Sequence, residues 1–433
     1  MARQMKDSGV EWIGGIPEGW SCSRVGRHYN IILGKMLCST PCNDSYTYEP
    51  YYCAADVHFE GISKARKKMW FSEEEKNTLL VTTGDLLVTE GGTGGCAIVQ
   101  DATTHTYIQN SLMIVRGREN ASEPYLCYWL ESLIKQSYLD YICNKVTIIH
   151  FTKEKLSGVP LPLPPEAEQQ NIISYLDGKI SLISKALEQT RATIEEYKKL
   201  KQAIITEAVT KGVRGARPMK PSGVEWIGDI PEEWNRSRVG LHYHVVLGKM
   251  LCNTQQNDTY TLEPYYCAAD IHFGSVDTAK KKMWFSPEEK DTYRVMPGDL
   301  LVVEGGAGAG GCAIVKNGEA TTYIQNSIMI VRGKSTCSVA YLGYWIESLV
   351  KRAYIDVVCN KATIPHFTKD KLSSVPIPLP SAEEQQEIAT YIDAKCAEID
   401  RIIEKKEQLI EELGSYRKSL IYEYVTGKKE VTA

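Results

Sequence analysis

The chain has no run of about 18 apolar residues, the length a membrane-spanning helix needs. Its start, Met1-Ala-Arg-Gln-Met-Lys-Asp7, is polar and carries no signal-peptide pattern. There is no Cys-x-x-Cys pair. Cys38 and Cys42 stand four apart, but the matching later positions hold Cys252 and Gln256, so no zinc site is expected and no metal ligand is assigned. Thirteen cysteines, an odd number without a secretion signal, read as reduced thiols of a cytoplasmic protein rather than a disulfide frame. Most sit in apolar text, as small buried hydrophobes do.

Catalytic constellations are missing too. The chain lacks the phosphate loop Gly-x-x-x-x-Gly-Lys-Ser/Thr, the Gly-x-Ser-x-Gly elbow, the His-Glu-x-x-His zinc helix and the Asn-Pro-Pro-Tyr run of adenine methyltransferases. The Gly-rich segments Gly91–Gly95 and Gly305–Gly311 have no Lys-Ser/Thr to hold phosphate and magnesium, and read as tight turns. Asp85 with Glu90, and Asp299 with Glu304, flank strands, but no Glu-x-Lys partner completes a nuclease site. No catalytic residue is assigned.

What the chain does have is one passage written twice. Val10-Glu-Trp-Ile-Gly-Gly-Ile-Pro-Glu-Gly-Trp20 returns as Val224-Glu-Trp-Ile-Gly-Asp-Ile-Pro-Glu-Glu-Trp234. Glu49-Pro-Tyr-Tyr-Cys-Ala-Ala-Asp56 returns as Glu263-Pro-Tyr-Tyr-Cys-Ala-Ala-Asp270. The spacing is 214 residues from Trp12 to Trp226 and 216 from Gln109 to Gln325. That period far exceeds the roughly 20–50 residues of solenoid repeats. A whole unit is duplicated within the 433 residues, so the function should need two similar surfaces.

Four blocks follow. Residues 1–163 and 213–379 are mixed, Gly-punctuated globular parts with short strand signals, such as Thr83–Thr89, Cys96–Val99 and Ser111–Val115. A helix is expected over Pro124–Tyr141, with Tyr125, Trp129, Leu133 and Ile134 on one face. Proline runs at Val159–Pro165 and Val375–Pro380 mark the boundaries, and acids follow them where a helix begins. Residues 164–212 and 380–433 carry heptad seams. Leu176, Ile180, Ile183, Leu187, Thr190, Ile194 and Tyr197 step alternately by four and three, as do Ile392, Cys396, Ile399, Ile403, Lys406, Ile410 and Leu413. Core packing in an ordinary helical domain is the plainer alternative, but helices this long and evenly stepped fit a small bundle poorly. The fold expected is α+β: two homologous globular domains joined by two long antiparallel coiled-coil helices. Such a rod would carry a domain at each end, related by a pseudo-two-fold, with Thr190 and Lys406 as its polar layer.

Net charge is −4, which does not advertise a nucleic-acid binder. From Glu383 to Leu413, however, ten acids face four bases, so the rest of the chain is slightly basic. Lys64-Ala-Arg66-Lys67-Lys68-Met-Trp70 returns as Lys280-Lys281-Lys282-Met-Trp284, cations beside an aromatic, suited to phosphate contact with stacking. The bland reading is a solvated strand edge guarded by lysine. Gln109-Asn110 and Gln325-Asn326 offer amides of the kind that read adenine, though amides before a strand also cap turns. His150 and His366, in Thr147-Ile-Ile-His150-Phe151 and Thr363-Ile-Pro-His366-Phe367, lack an acid or nucleophile partner and read as structural or ligand-contacting.

Asp7–Trp20, Pro162-Leu-Pro-Pro-Glu-Ala-Glu168-Gln169-Gln170 with its copy Pro378-Leu-Pro-Ser-Ala-Glu-Glu384-Gln385-Gln386, and the segments Ile204–Gly212 and Leu420–Gly427 together resemble type I restriction–modification DNA specificity subunits. The resemblance spans nearly the whole chain. It implies two target recognition domains on double-stranded DNA and two spacer helices that dock modification (methyltransferase) subunits, with restriction/translocase subunits as further partners. It implies no catalysis and no cofactor in this chain; S-adenosylmethionine, ATP and Mg would serve the partner subunits. In that family the two domains usually differ, whereas here they are close copies, so an interrupted, nearly palindromic target is expected. The rival readings are a coiled-coil adaptor with two protein-binding domains, and the recognition subunit of a different methyltransferase–nuclease system.

Overall fold

The computed structural model describes residues 3–91, 95–102, 104–119, 121–135, 151–306, 308–316, 321–352, 354–355 and 366–431. The chain forms two compact units. The first is Met1–Thr190 with Glu407–Ala433, and the second is Arg191–Lys406. The sequence blocks are thereby regrouped: each globular part closes around the start of one long helix and the end of the other.

In the first unit a four-stranded antiparallel sheet runs in the order Cys96–Ile98, Leu86–Thr89, Leu112–Gly117, Tyr29–Leu33. Both faces are covered, which explains the unbroken apolar runs Leu86-Leu-Val and Leu112-Met-Ile-Val115. Leu86, Val88, Met113 and Val115 enter a core shared with the helix Glu123–Lys135. Leu87, Leu112 and Ile114 enter a second core, beneath a three-stranded sheet. That sheet has the order Tyr107–Ile108, Thr47–Tyr52, Lys67–Phe71. The expected helix over Pro124–Tyr141 is described as Glu123–Lys135; positions 136–141 lie outside the described residues. The second unit repeats the plan, with Leu300–Val303 and Ile328–Gly333 in the middle of its four-stranded sheet.

The proline runs are more than boundaries. Pro160–Leu163 is a strand paired antiparallel with Ser21–Arg24, and Pro376–Leu379 pairs likewise with Asn235–Arg238. Proline cannot donate to a ladder, but its carbonyl still accepts. Trp129 Nε1 donates to the Pro160 carbonyl at 2.9 Å. The buried Tyr125 hydroxyl lies 2.9 Å from both the Pro162 and the Val425 carbonyls. Tyr341 makes the same link to Pro378 and Val209 in the second unit.

The helices run Glu166–Lys211 and Ala382–Val425, 46 and 44 residues. Their starts are held by the recurring tryptophans: Trp20 Nε1 donates to Glu168 at 2.8 Å, and Trp234 Nε1 to Glu384 at 2.9 Å. Within each unit the two helix segments are antiparallel. In the second, Tyr197 meets Lys406, Lys201 bonds Asp400 and Arg214 bonds Glu387, so one number rises as the other falls. In the first, the carbonyl of Val425, at the end of one helix, lies beside the strand that leads into the other, and Tyr175 packs on Tyr424 with ring centroids 4.6 Å apart. Leu176, Ile180, Ile183, Thr190, Ile194, Ile392, Cys396 and Ile399 are buried; Leu187, Ile403, Lys406 and Ile410 are half-buried. The Thr190 hydroxyl donates to its own helix, at the Ala186 carbonyl, 2.7 Å away.

Candidate nucleic-acid interface

The three-stranded sheet sorts its side chains by alternation. Along Lys67–Phe71, Met69 and Phe71 are buried, while Lys68 and Trp70 fall on the opposite face. Across the ladder Tyr48 pairs with Trp70 and Pro50 with Lys68. The Tyr48 and Trp70 rings lie 5.2 Å apart, and Lys68 stands exposed beside them. Lys67 is exposed as well, its ammonium 3.7 Å from the Cys53 thiol. In the second unit Leu262 faces Trp284, Lys282 stands beside them, and the Lys281 ammonium lies 3.5 Å from Cys267 Sγ. Among the described residues none of Lys67, Lys68, Lys281 and Lys282 is tied up in an ion pair. Lys64 and Arg66 are exposed on the approach to the first basic strand, and Lys280 on the approach to the second.

The amides lie in a turn that packs against a loop. Gln109 Nε2 donates to Asn110 Oδ1 at 3.0 Å, and the Ser111 hydroxyl donates to Gln109 Oε1 at 2.7 Å. Gln325, Asn326 and Ser327 repeat this. The side chains are therefore engaged in shaping the turn, the plainer of the two readings for an amide before a strand. The Asn110 amide N–H bonds the Lys35 carbonyl at 2.8 Å, as Asn326 does Lys249.

That loop, Gly34-Lys-Met-Leu-Cys38, carries residues that no motif or hydrophobic period in the sequence marks. Its far end is pinned to the basic strand, where Trp70 N–H donates to the Cys38 carbonyl at 3.2 Å; Trp284 does the same to Cys252 at 3.0 Å. Lys35 turns inward to bond Glu75 at 2.6 Å, with its ammonium 4.7 Å from the Tyr46 ring centre. Lys249 is likewise buried against Glu289 and Tyr260. Burial alone would raise the Glu75 carboxyl, but Lys35 and the Ser72 backbone N–H hold it below the ordinary carboxylate value. The available signal was an apolar pair outside any hydrophobic period, repeated verbatim in Gly248–Cys252.

The remaining candidates fall elsewhere. His150 lies outside the described residues. His366 is exposed at the second Gly-rich loop, bridged to Gly305. Asp85 is buried and takes a two-pronged bond from Arg116 Nε and Nη2, each 2.7 Å; Arg332 grips Asp299 in the same way. These acids thus hold the sheet together, a partnership invisible in sequence because Arg116 is 31 residues away. Among the described residues no group of three or more His, Cys, Asp or Glu is placed to hold a metal ion. No described helix is long and apolar enough to cross a membrane.

Each unit therefore joins a strand with exposed lysines, its aromatic or apolar cross-strand neighbour, an amide turn and an apolar loop through the same backbone bonds. Residues 17–196 and 250–412 match the family described as type I restriction modification DNA specificity domain, and the chain belongs to that family. It is similar to the type I restriction enzyme MjaVIII specificity subunit of Methanocaldococcus jannaschii, 24% identical over 432 residues, covering 96% of this chain and 94% of that protein. It is also similar to the EcoBI specificity subunit of Escherichia coli, 25% identical over 312 residues, covering 67% of this chain and 62% of that protein. Among solved structures, a chain from work on complex assembly and conformational transition of the type I R-M system aligns with a TM-score of 0.72 at 18% identity, covering 96% and 99% of the two chains. The HsdS subunit from Thermoanaerobacter tengcongensis aligns with a TM-score of 0.55 at 17% identity, covering 96% and 98%. These two likenesses show a shared fold.

Proposed function

We propose that this chain is a non-catalytic specificity subunit that reads a two-part target on double-stranded DNA for a type I restriction–modification complex. The observation that carries the reading is the duplication: a strand with exposed lysines, Lys67 and Lys68 or Lys281 and Lys282, whose Lys68 and Lys282 stand beside Trp70 and Trp284, with the same amide turn and loop in each unit. Two near-copies should read similar half-sites, so the target is interrupted and nearly palindromic. Residues Glu60–Lys64 against Gly274–Thr278, and the two Gly-rich loops, are where the copies differ. If these segments touch bases, the halves differ by a base or two; if they do not, the halves are identical.

The long helices would dock modification subunits, with restriction subunits joining in turn. Leu182 and Tyr416 in the first unit, and Leu200 in the second, are exposed helix side chains that such partners could cover. S-adenosylmethionine, ATP and Mg would act in those partners. The test is co-expression with candidate modification subunits, followed by DNA binding at several salt concentrations. The complex should bind one duplex preferentially, with affinity falling steeply as salt rises. Changing Lys67, Lys68, Lys281 and Lys282 to Ala should weaken all sequences alike and reduce the log–log salt slope by up to about 0.9 per lost phosphate contact. An unchanged slope would reject the phosphate role. A chain that binds no DNA even with its partners would favour the adaptor reading.

A further inference from the structure

The loop Gly34–Cys38 does something unusual for a soluble surface. It holds two large apolar side chains in solvent: Met36 is 75% exposed and Leu37 59%. The copy does the same, with Met250 at 75% and Leu251 at 51%. Single exposed hydrophobics are ordinary. An adjacent pair, displayed alike in both copies, is not explained by folding.

The display is built. On one side Gly34 and Lys35 are bonded to Leu112 and Ile108 at 3.0 and 3.2 Å, and the Asn110 N–H closes on the Lys35 carbonyl. On the other side Cys38 is bonded to Trp70 in the basic strand. Gly34 has no room for a side chain, since a Cβ there would come within 2.4 Å of the Gln109 carbonyl oxygen. Lys35, the one cation of the loop, is withdrawn into its pair with Glu75. What remains between the two anchors is Met36 and Leu37 alone. The sequence following the loop diverges, Ser39-Thr-Pro-Cys-Asn43 against Asn253-Thr-Gln-Gln-Asn257, while Gly-Lys-Met-Leu-Cys is identical.

We propose that Met36–Leu37 and Met250–Leu251 are apolar tips that enter a DNA groove and press on base edges, one base step in each half-site. The inference rests on the DNA-reading proposal and adds the residues that discriminate sequence. DNA is favoured over a protein partner because each tip ends on the basic strand, Cys38 on Trp70 and Cys252 on Trp284, where Lys68 and Lys282 stand exposed and suit the phosphates bordering a groove. Apolar side chains read DNA by touching the thymine methyl in the major groove or by wedging between base steps in the minor groove. A rigidly anchored tip loses little conformational entropy on insertion. Because the two tips are identical, the step they read should be the same in both halves.

The experiment uses the full chain with its modification subunits and compares wild type with Met36→Ser/Leu37→Ser, with Met250→Ser/Leu251→Ser, and with all four changes. The sites are exposed, so melting temperatures should match wild type. The fourfold variant should lose about tenfold or more of its preference for the cognate duplex, while affinity for unrelated duplex and the salt slope stay put. Each double variant should lose footprint protection in one half-site only. Two probes then report the mode: uracil in place of thymine erases the effect if a methyl is read, and 2-aminopurine brightens at the step if a wedge unstacks it. Unchanged preference and footprints in the fourfold variant would overturn the inference. So would loss of modification subunits with DNA preference intact, since the tips would then dock protein. If wild type prefers no duplex at all, it is the DNA-reading proposal that fails.

Discussion

A matched pair of substitutions should have opposite effects in the two units. Glu131 is buried on the helix Glu123–Lys135, and its carboxylate takes a 2.8 Å bond from Arg417 Nη2. Arg417 comes from the closing segment of the chain, and its side chain is only 9% exposed. Its other carboxylate neighbour, Glu60, is 3.8 Å away and largely in solvent. Glu131→Gln would leave a buried guanidinium with half its charge partner, which costs about 3 kcal/mol, the low end for an orphaned buried ion because Glu60 remains. The equivalent acid in the second unit is Glu347, and the residue equivalent to Arg417 is Lys201. Lys201 instead bonds both oxygens of Asp400, each at 2.7 Å. Burial pushes the Glu347 carboxyl above its ordinary value, with Lys201 and Lys351 only partly offsetting it. Glu347→Gln should therefore be neutral or stabilising at pH 7.

The sign follows from linkage. A carboxyl raised in the folded state makes the native form hold the extra proton, so stability falls as pH climbs from the ordinary value of about 4.3 through the folded one. The benefit of Glu347→Gln should vanish near pH 4 and appear above that window. Hydrogen exchange resolved by peptide is the assay, because it reports the helices 123–135 and 339–351 separately. Faster exchange over 123–135 in Glu131→Gln, with none over 339–351 in Glu347→Gln, is expected. Equal losses at both sites, or a Glu131→Gln effect below about 0.5 kcal/mol, a surface-pair value, would show that Arg417 does not depend on Glu131.

Tyr125→Phe and Tyr341→Phe should each cost about 1–3 kcal/mol in denaturant unfolding, since each hydroxyl serves two buried carbonyls that water cannot reach. Glu75 is held below its ordinary value by Lys35 and by the Ser72 cap, so the stability it adds is present at neutral pH and is lost as pH falls from about 4.3 through the folded value. Glu75→Gln should remove that part of the acid dependence in a pH series of melting curves; an identical series would contradict it. Gly34→Ala should disturb the loop against the Gln109 carbonyl and show as faster exchange over residues 34–38, whereas Gly9→Ala, which meets no neighbour but sits at a φ of +74°, should disturb only its own turn.

Much of this was legible in the chain. The duplication stands as repeated text, and the heptad steps at Leu176–Tyr197 and Ile392–Leu413 and the acids opening each long helix are signals carried within a single helix. The proline runs misled in part: Pro160 and Pro162 cannot donate, yet their carbonyls anchor Trp129 and Tyr125 across a strand pair that sequence does not display. Asp85 looked like a stray acid because its partner Arg116 lies in another strand. The Gln109 amide could read as a base reader or a turn cap, and one of its N–H groups and one oxygen lone pair serve the turn at Asn110 and Ser111. Met36 and Leu37 fit no period, and only exposure distinguishes a displayed pair from a buried one.

Two near-identical readers should direct methylation to a target with two similar halves. Mapping N6-methyladenine by single-molecule sequencing, in cells with and without this gene and with the modification subunit present throughout, tests it most directly. The expected result is a gene-dependent interrupted motif whose halves are inverted and alike to within a base or two. A gene-dependent motif with unrelated halves would contradict it.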